Sequence, residues 1–152
     1  MEQDELEFKW ISNTHDDREE CFNLRRVVFC DEQKFSWDLE KDDYDSVENN
    51  RTLNLLLYVN KKPVGTARIY FCEKENEWRL SRICILQEFR KKKLGNLLMD
   101  ECLKKCQEKK ISEVFLSAQI YAKDFYKKHG FNEFGEIYFD EHVEHIWMKR
   151  KI

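Results

Sequence analysis

A fold of the α/β class, built on a mostly antiparallel central sheet with flanking helices, is predicted for this chain by three observations. Apolar runs of strand length recur along it, amphipathic segments with apolar residues at three- and four-residue steps lie between them, and the middle runs are joined by turns too short for a crossover helix. No internal repeat and no Pro- or Ser-rich linker interrupts the series. Residues 1–152 are therefore expected to form one domain, long enough to bury a real core.

Residues 6–11 (LEFKWI) read as a first strand. Residues 16–29 (DDREECFNLRRVVF) place Cys21, Leu24 and Val28 at helical spacing behind an acidic start that suits a helix N-terminus. Residues 30–50 are polar and acidic and read as a long loop; loops of this length in compact domains are usually functional or flexible, so substrate contacts are expected there. Next come TLNLLLYVN and VGTARIYF, joined by a turn around the single proline, Pro63, and then EWRLSRICI after the charged turn EKENE: three strands of an antiparallel meander. A helix begins in the stretch FRKKKLGNLLM (residues 89–99), with Leu94, Leu97, Leu98, Cys102 and Cys106 on its apolar stripe. ISEVFLSAQ gives a buried strand, IYAKDFYKKHG a short helix ended by Gly130, and EFGEIYF and VEHIWMKR a final strand pair. The order is β-α-β-β-β-α-β-α-β-β.

Composition narrows the function. The 27 lysines and arginines stand against 30 aspartates and glutamates, a formal charge of −3, so the run RKKK at residues 90–93 is a local feature on a mildly acidic protein. Nucleic-acid binding needs several phosphate contacts on a broad cationic face, and one cluster does not supply it. Six cysteines in apolar contexts, without CxxC pairs, read as reduced thiols in a cytoplasmic protein. Cys102 and Cys106 lack a second pair of soft ligands, so no metal site is expected. No stretch reaches the length of a membrane span and the N-terminus has no leader pattern.

The segment FRKKKLGN sits between a strand and a helix. Such a junction offers unpaired backbone N–H groups and the positive end of the helix dipole to an anion, and Gly95 permits close approach. On charge alone, a solvated helix end and a phosphate cradle remain open.

Here the chain resembles the GNAT superfamily of acetyl-CoA-dependent N-acetyltransferases. Arg90, Lys93 and Gly95 fall on its R/Q-x-x-G-x-G/A signature, with Lys93 where the first glycine is expected, and Gln119, Ala122, Tyr126, Gly130 and Phe131 keep the spacing of its downstream pattern, with Gln for Asn. RRVVFCDEQ, ARIY, SRICI, AQIYAKDFYKKHGF and YFDEHVEHIWM resemble the ElaA-like branch over almost the whole chain, where a lysine at position 93 is familiar. The short length and Lys-, Asn- and Glu-rich composition also resemble the apicomplexan type of glucosamine-6-phosphate N-acetyltransferase.

The resemblance implies a mixed sheet with one splayed strand pair, and direct attack of a neutral amine on the thioester of acetyl-CoA, the cosubstrate. It implies that backbone of Ile83, Cys84 and Ile85 pairs with pantetheine, and that N–H groups of Lys91, Lys92, Lys93, Leu94, Gly95 and Asn96 surround the pyrophosphate. The Arg90 to Lys93 side chains would add positive field, and Gln119 and Phe125 would complete the donor site. Tyr126 would donate a proton to the departing sulfur. Glu32, Asp43, His142 and His145 compete for the general base, and Glu32 is carried forward.

A phosphosugar acceptor, glucosamine 6-phosphate, would be held by Arg25, Arg68 and Arg82, with His145 beside it. The acidic stretch DLEKDDYD suits a polyamine, peptide or protein amine equally well. Trp147, Tyr138 and Phe139 are candidates to join two copies as a homodimer.

Overall fold

The structure is a computed structural model that describes residues 3–152. Seven strands form one sheet in the order β1-β2-β3-β4-β5-β7-β6. They are β1 (Leu6–Ile11), β2 (Leu53–Val59), β3 (Lys62–Cys72), β4 (Glu77–Ile85), β5 (Glu113–Gln119), β6 (Asn132–Asp140) and β7 (Val143–Lys151). Helix α1 (Arg18–Arg25) runs on as a π-helical stretch (Arg26–Glu32), and α2 (Trp37–Glu40), α3 (Leu94–Glu108) and α4 (Lys123–Lys128) follow. Every strand pair is antiparallel except β4 with β5, so the sheet is mixed, as the resemblance implies.

Burial explains the elements. Leu55, Leu56 and Leu57 in β2 are all fully buried, the continuous apolar run expected of a strand covered on both faces. Helix α3 buries Leu94, Leu98, Met99, Cys102 and Cys106, each large side chain contributing about 1.5–3 kcal/mol of transfer free energy. Cys102 and Cys106 are thus packing residues. Gly130, just past α4, has φ +86°, and a Cβ there would lie 2.7 Å from Arg150 Nε, so the turn into the buried Phe131 depends on glycine.

Residues 30–50 are not the loop expected. They hold the π-helical end, α2, and a 3-10 turn (Asp43–Asp45) closed by a capping box between Asp42 and Asp45. Three acidic residues of this segment, Glu40, Asp42 and Asp45, turn inward. Arg25 is 1% exposed and donates to both Asp45 carboxylate oxygens at 2.8 and 2.9 Å, to Glu40 Oε1 at 3.3 Å and to the Glu40 carbonyl at 2.8 Å. Arg68, equally buried, donates to Asp42 at 2.7 and 3.0 Å and to Asp45 at 2.9 Å. Arg82 closes on Glu40 at 2.7 Å and Asp42 at 3.3 Å. Three guanidinium groups thus meet three carboxylates. Burial works against charge on Asp45, but hydrogen bonds from Arg25 and the charge of Arg68 hold its carboxyl well below the usual range.

Strands β4 and β5 pair only at Trp78↔Val114 and Arg79↔Phe115 and then part. Opposite the opening, β4 carries a bulge: between the pairs Thr66↔Cys84 and Arg68↔Ser81, one β3 residue, Ala67, faces two of β4, Arg82 and Ile83, and Arg82 has φ +53°.

Two measurements check this account. Asp45→Asn leaves two buried arginines short of a counter-charge and is expected to cost about 3–5 kcal/mol in urea unfolding at pH 7. Because Asp45 is depressed in the folded state, its contribution is present above the unfolded carboxylate pKa of about 4 and fades as pH falls below it; D45N therefore shows a shallower acid limb. Gly130→Ala, forced into a left-handed backbone, is expected to cost about 1–2 kcal/mol.

Candidate active site

The parting of β4 and β5 opens a cavity of about 480 Å³. On one side, Leu80 to Ile85 of β4 have no β5 partner, leaving a free strand edge of the kind an extended ligand joins by backbone hydrogen bonds. The Ile85 carbonyl is taken by Arg90 Nε at 2.9 Å.

Above this edge the chain turns into α3 through two lysines in left-handed conformation, Lys91 (φ +64°) and Lys93 (φ +62°). The signature glycine is gone at residue 93, but the backbone that glycine favours is kept. No side chain caps α3, so the first N–H groups of the helix are left for an anion. Gly95 lines the cavity, and a Cβ on it would sit 3.4 Å from the Phe125 ring. Lys91, Lys92, Lys93 and Asn96 are exposed, while the Leu94 side chain is buried in the core and offers only backbone. These features fit the pyrophosphate and pantetheine of coenzyme A.

Arg90 is not the free cation expected. Its terminal nitrogens bind both Glu32 oxygens at 2.5 and 2.7 Å. The hydrogen bonds from Arg90 hold the Glu32 carboxyl below its ordinary value, and Glu32 is not on the cavity wall. Glu32 is therefore a brace between the π-helical stretch and the end of β4, and a poor proton acceptor.

Tyr126 lines the cavity, half-buried, and its hydroxyl donates to no protein group among the described residues. Burial pushes its phenol up, with Tyr121, Cys102 and Cys84 adding to the shift; it is a protonated donor at neutral pH. Cys84 also lines the cavity, and burial pushes its thiol up as well, so no thiolate stands ready to take an acyl group.

The opposite wall comes from β5, β6 and β7. His145 is buried there. Its Nδ1 lies 2.9 Å from the Val143 carbonyl, which can only accept, so Nδ1 carries the hydrogen and, in the neutral imidazole, Nε2 holds the lone pair. Nε2 has no protein partner among the described residues. Of the other basic candidates, Asp43 is exposed and off the wall, and His142 Nε2 donates to the Gln33 carbonyl at 2.6 Å. That last bond belongs to a roof. Gln119 Nε2 donates to Gln33 Oε1 at 2.7 Å, Ser36 N–H donates to Glu141 Oε1 at 3.2 Å, and Phe35 packs on His142 with 5.1 Å between ring centroids.

Of the three arginines expected to grip a phosphate, Arg25 and Arg68 do not reach the cavity, and Arg82 reaches it with its guanidinium already bound to Glu40 and Asp42. Sequence reasoning placed them by residue type, without sight of the carboxylates that meet them. Trp147 and Tyr138, expected on an outer face, line the cavity; Phe139 on the edge strand β6 is 67% exposed. Arg79, Ser117 and Tyr70, also on the wall, were missed; for Arg79, alternation along β4 with Ser81 and Ile83 was the available signal.

Residues 18–152 match the acetyltransferase (GNAT) domain family. The chain belongs to that family. Among similar proteins, this acetyltransferase domain is 30% identical to the uncharacterized N-acetyltransferase YjcF of Bacillus subtilis over 92% of this chain and 96% of that one. It is also 30% identical to protein ElaA of Escherichia coli over 85% and 84% of the two chains. The crystal structure of Escherichia coli ElaA superposes with a TM-score of 0.84, covering 96% of this chain and 99% of that one at 25% identity. GNAT acetyltransferases draw on acetyl-CoA.

The donor cradle is checked by coenzyme A titration in a calorimeter. Gly95→Val adds carbon atoms against Phe125 and the approaching ligand and is expected to weaken binding at least about tenfold, whereas Lys93→Gly keeps the left-handed turn and binds within a few-fold of the parent.

Proposed function

We propose that this enzyme transfers the acetyl group of acetyl-CoA directly to a small primary amine, with His145 as proton acceptor and Tyr126 as proton donor. The observation that carries the reading is that one cavity holds both an unpaired phenol and an imidazole whose tautomer is set to accept. Acetyl-CoA supplies the activated acyl thioester. The acceptor nitrogen forms the new C–N bond as the C–S bond breaks. His145 Nε2 takes a proton from the nitrogen, and the Tyr126 hydroxyl gives one to the leaving sulfur; exchange with solvent resets both side chains. The β4 edge and the α3 N-terminus align the thioester, which converts the encounter into a positioned reaction.

The roof of residues 33–36 clasped to His142 and Glu141 supports a compact acceptor over a lysine on a folded protein, which needs an open groove. Glucosamine 6-phosphate remains one member of this class, but Arg25, Arg68 and Arg82, its expected anchors, are spent in the buried ion lattice. The polyamine reading is weakened too, since Glu40, Asp42 and Asp45 are spent on those arginines and Asp43 is off the cavity wall. We infer that the chain acts as one domain in the cytoplasm, in keeping with six free thiols. Pairing of two copies through the exposed Phe139 on β6 is the form left to the homodimer expectation.

Coenzyme A release, followed with a thiol reagent over a panel of small amines, tests the reaction. His145→Gln and Tyr126→Phe are each expected to lower kcat by about 10²-fold or more, with the KM for acetyl-CoA little changed. Full activity in both variants refutes the assigned roles, and failure to acetylate any amine refutes the reaction. Because the Tyr126 phenol is raised, its ionisation limits the rate only at a pH above that of an ordinary tyrosine.

A further inference from the structure

Three arginines line the cavity among the described residues: Arg79, Arg82 and Arg90. Glu40 and Asp42 close Arg82, and Glu32 and the Ile85 carbonyl close Arg90. Arg79 differs. It lies at the vertex of the splay, in the last register pair that joins β4 to β5, and opposite Tyr70 of β3. Its Nε donates to Glu77 Oε2 at 2.9 Å, and its guanidinium carbon sits 4.5 Å from the centroid of the Trp147 ring. Neither terminal nitrogen donates to a carboxylate among the described residues. Burial opposes its charge, but Tyr70 and Glu77 keep the group protonated.

The surroundings hold this fork in place. Trp147 stacks with Tyr138 at 6.5 Å and an interplanar angle of 17°, Tyr138 is hydrogen-bonded to Ser117, and Tyr70 packs on Tyr44 with 4.0 Å between centroids. At the other end of the wall, Asp140 and Glu141 stand on the cavity rim near the roof. The chamber is therefore polarised, positive at the vertex and negative at the roof. His145 pairs with Gln119, four β5 positions above the Phe115 that pairs with Arg79, a rise of about 13 Å that the arginine side chain and a compact ligand share.

We propose that Arg79 is the acceptor-specificity residue, and that the acceptor is a primary amine bearing a carboxylate or a phosphate, gripped by the two terminal nitrogens of Arg79. This rests on the reading that the cavity receives the acceptor. The guanidinium is planar and seated over the Trp147 ring, so two parallel N–H bonds to an oxyanion need little reorganisation. The polarity of the chamber turns the amine end toward the roof and His145, and the aromatic wall accommodates a sugar ring or methylenes between the two ends.

The test uses matched amines: glucosamine 6-phosphate against glucosamine, phosphoethanolamine against ethanolamine, and 4-aminobutyrate against its amide, with the full chain and with Arg79→Gln and Arg79→Lys. The parent is expected to show a KM about 10- to 100-fold lower for the acid-bearing member of at least one pair. R79Q brings that member down to the level of its neutral partner without raising the KM for acetyl-CoA, and R79K recovers part of the preference. Comparing the pairs separates phosphate from carboxylate. A parent that does not discriminate in any pair overturns the proposal whether or not R79Q folds, as does an R79Q that loses acid and neutral members equally. Calorimetric titration of the same amines into the protein saturated with coenzyme A separates the two readings. Arg79-dependent binding without turnover sinks the proposed reaction and leaves the anion site standing, and turnover of neutral amines alone does the reverse.

Discussion

The buried meeting of Arg25, Arg68 and Arg82 with Glu40, Asp42 and Asp45 is the constraint on which the site depends. None of these side chains could be buried alone, since an unpaired charge in the interior costs several kcal/mol. Together they form a neutral lattice that ties α1, β3 and β4 to the segment 37–45. Hydrophobic residues of equal volume could supply comparable stability, but apolar contacts do not dictate one geometry. Directional bonds between forks and carboxylates do. They set α2 as a wall of the cavity and hold Arg82 in the left-handed bulge of β4, a conformation a free arginine would leave.

The bulge has a consequence for the donor side. With an extra residue at Arg82, β4 leaves the register of β3 and turns away from β5 just past Arg79, so its outer edge goes unpaired while both strands stay in one sheet. The same parting brings Tyr126 of α4 and His145 of β7 to a shared cavity from opposite walls. The Tyr126 phenol, the His145 imidazole and the free edge thus meet through one local irregularity. The Arg90 pair with Glu32 and its bond to Ile85 keep the end of that edge from collapsing toward the opening.

What the site spends on its scaffold also shapes what it can recognise. Arg82 and Arg90, which line the cavity, are neutralised by neighbours, which leaves the backbone N–H groups at α3 and the terminal nitrogens of Arg79 as the polar groups open to a ligand in the proposed reaction. A wall of Tyr70, Tyr138 and Trp147 around Arg79 excludes water and strengthens each polar contact made there.

The strand and helix order was legible in the sequence because each element carries its own periodicity: Leu55, Leu56 and Leu57 announce a covered strand, and Leu94, Leu98, Cys102 and Cys106 a helical stripe. Tyr126 and the turn at Gly95 were legible through spacing along a continuous chain. The residues from 30 to 50 were misread because short helical turns held by long-range ion pairs leave no local pattern. The partners of Arg25, Arg68 and Arg82 lie 15 to 42 positions away, and nothing in a linear reading says which carboxylate meets which guanidinium. By itself, then, the sequence determined the elements, their order and the strand-to-helix turn at residues 90–95, all of which are local. Only the tertiary structure decided which charges are spent and which remain, because a charge is free or satisfied according to its neighbours in space.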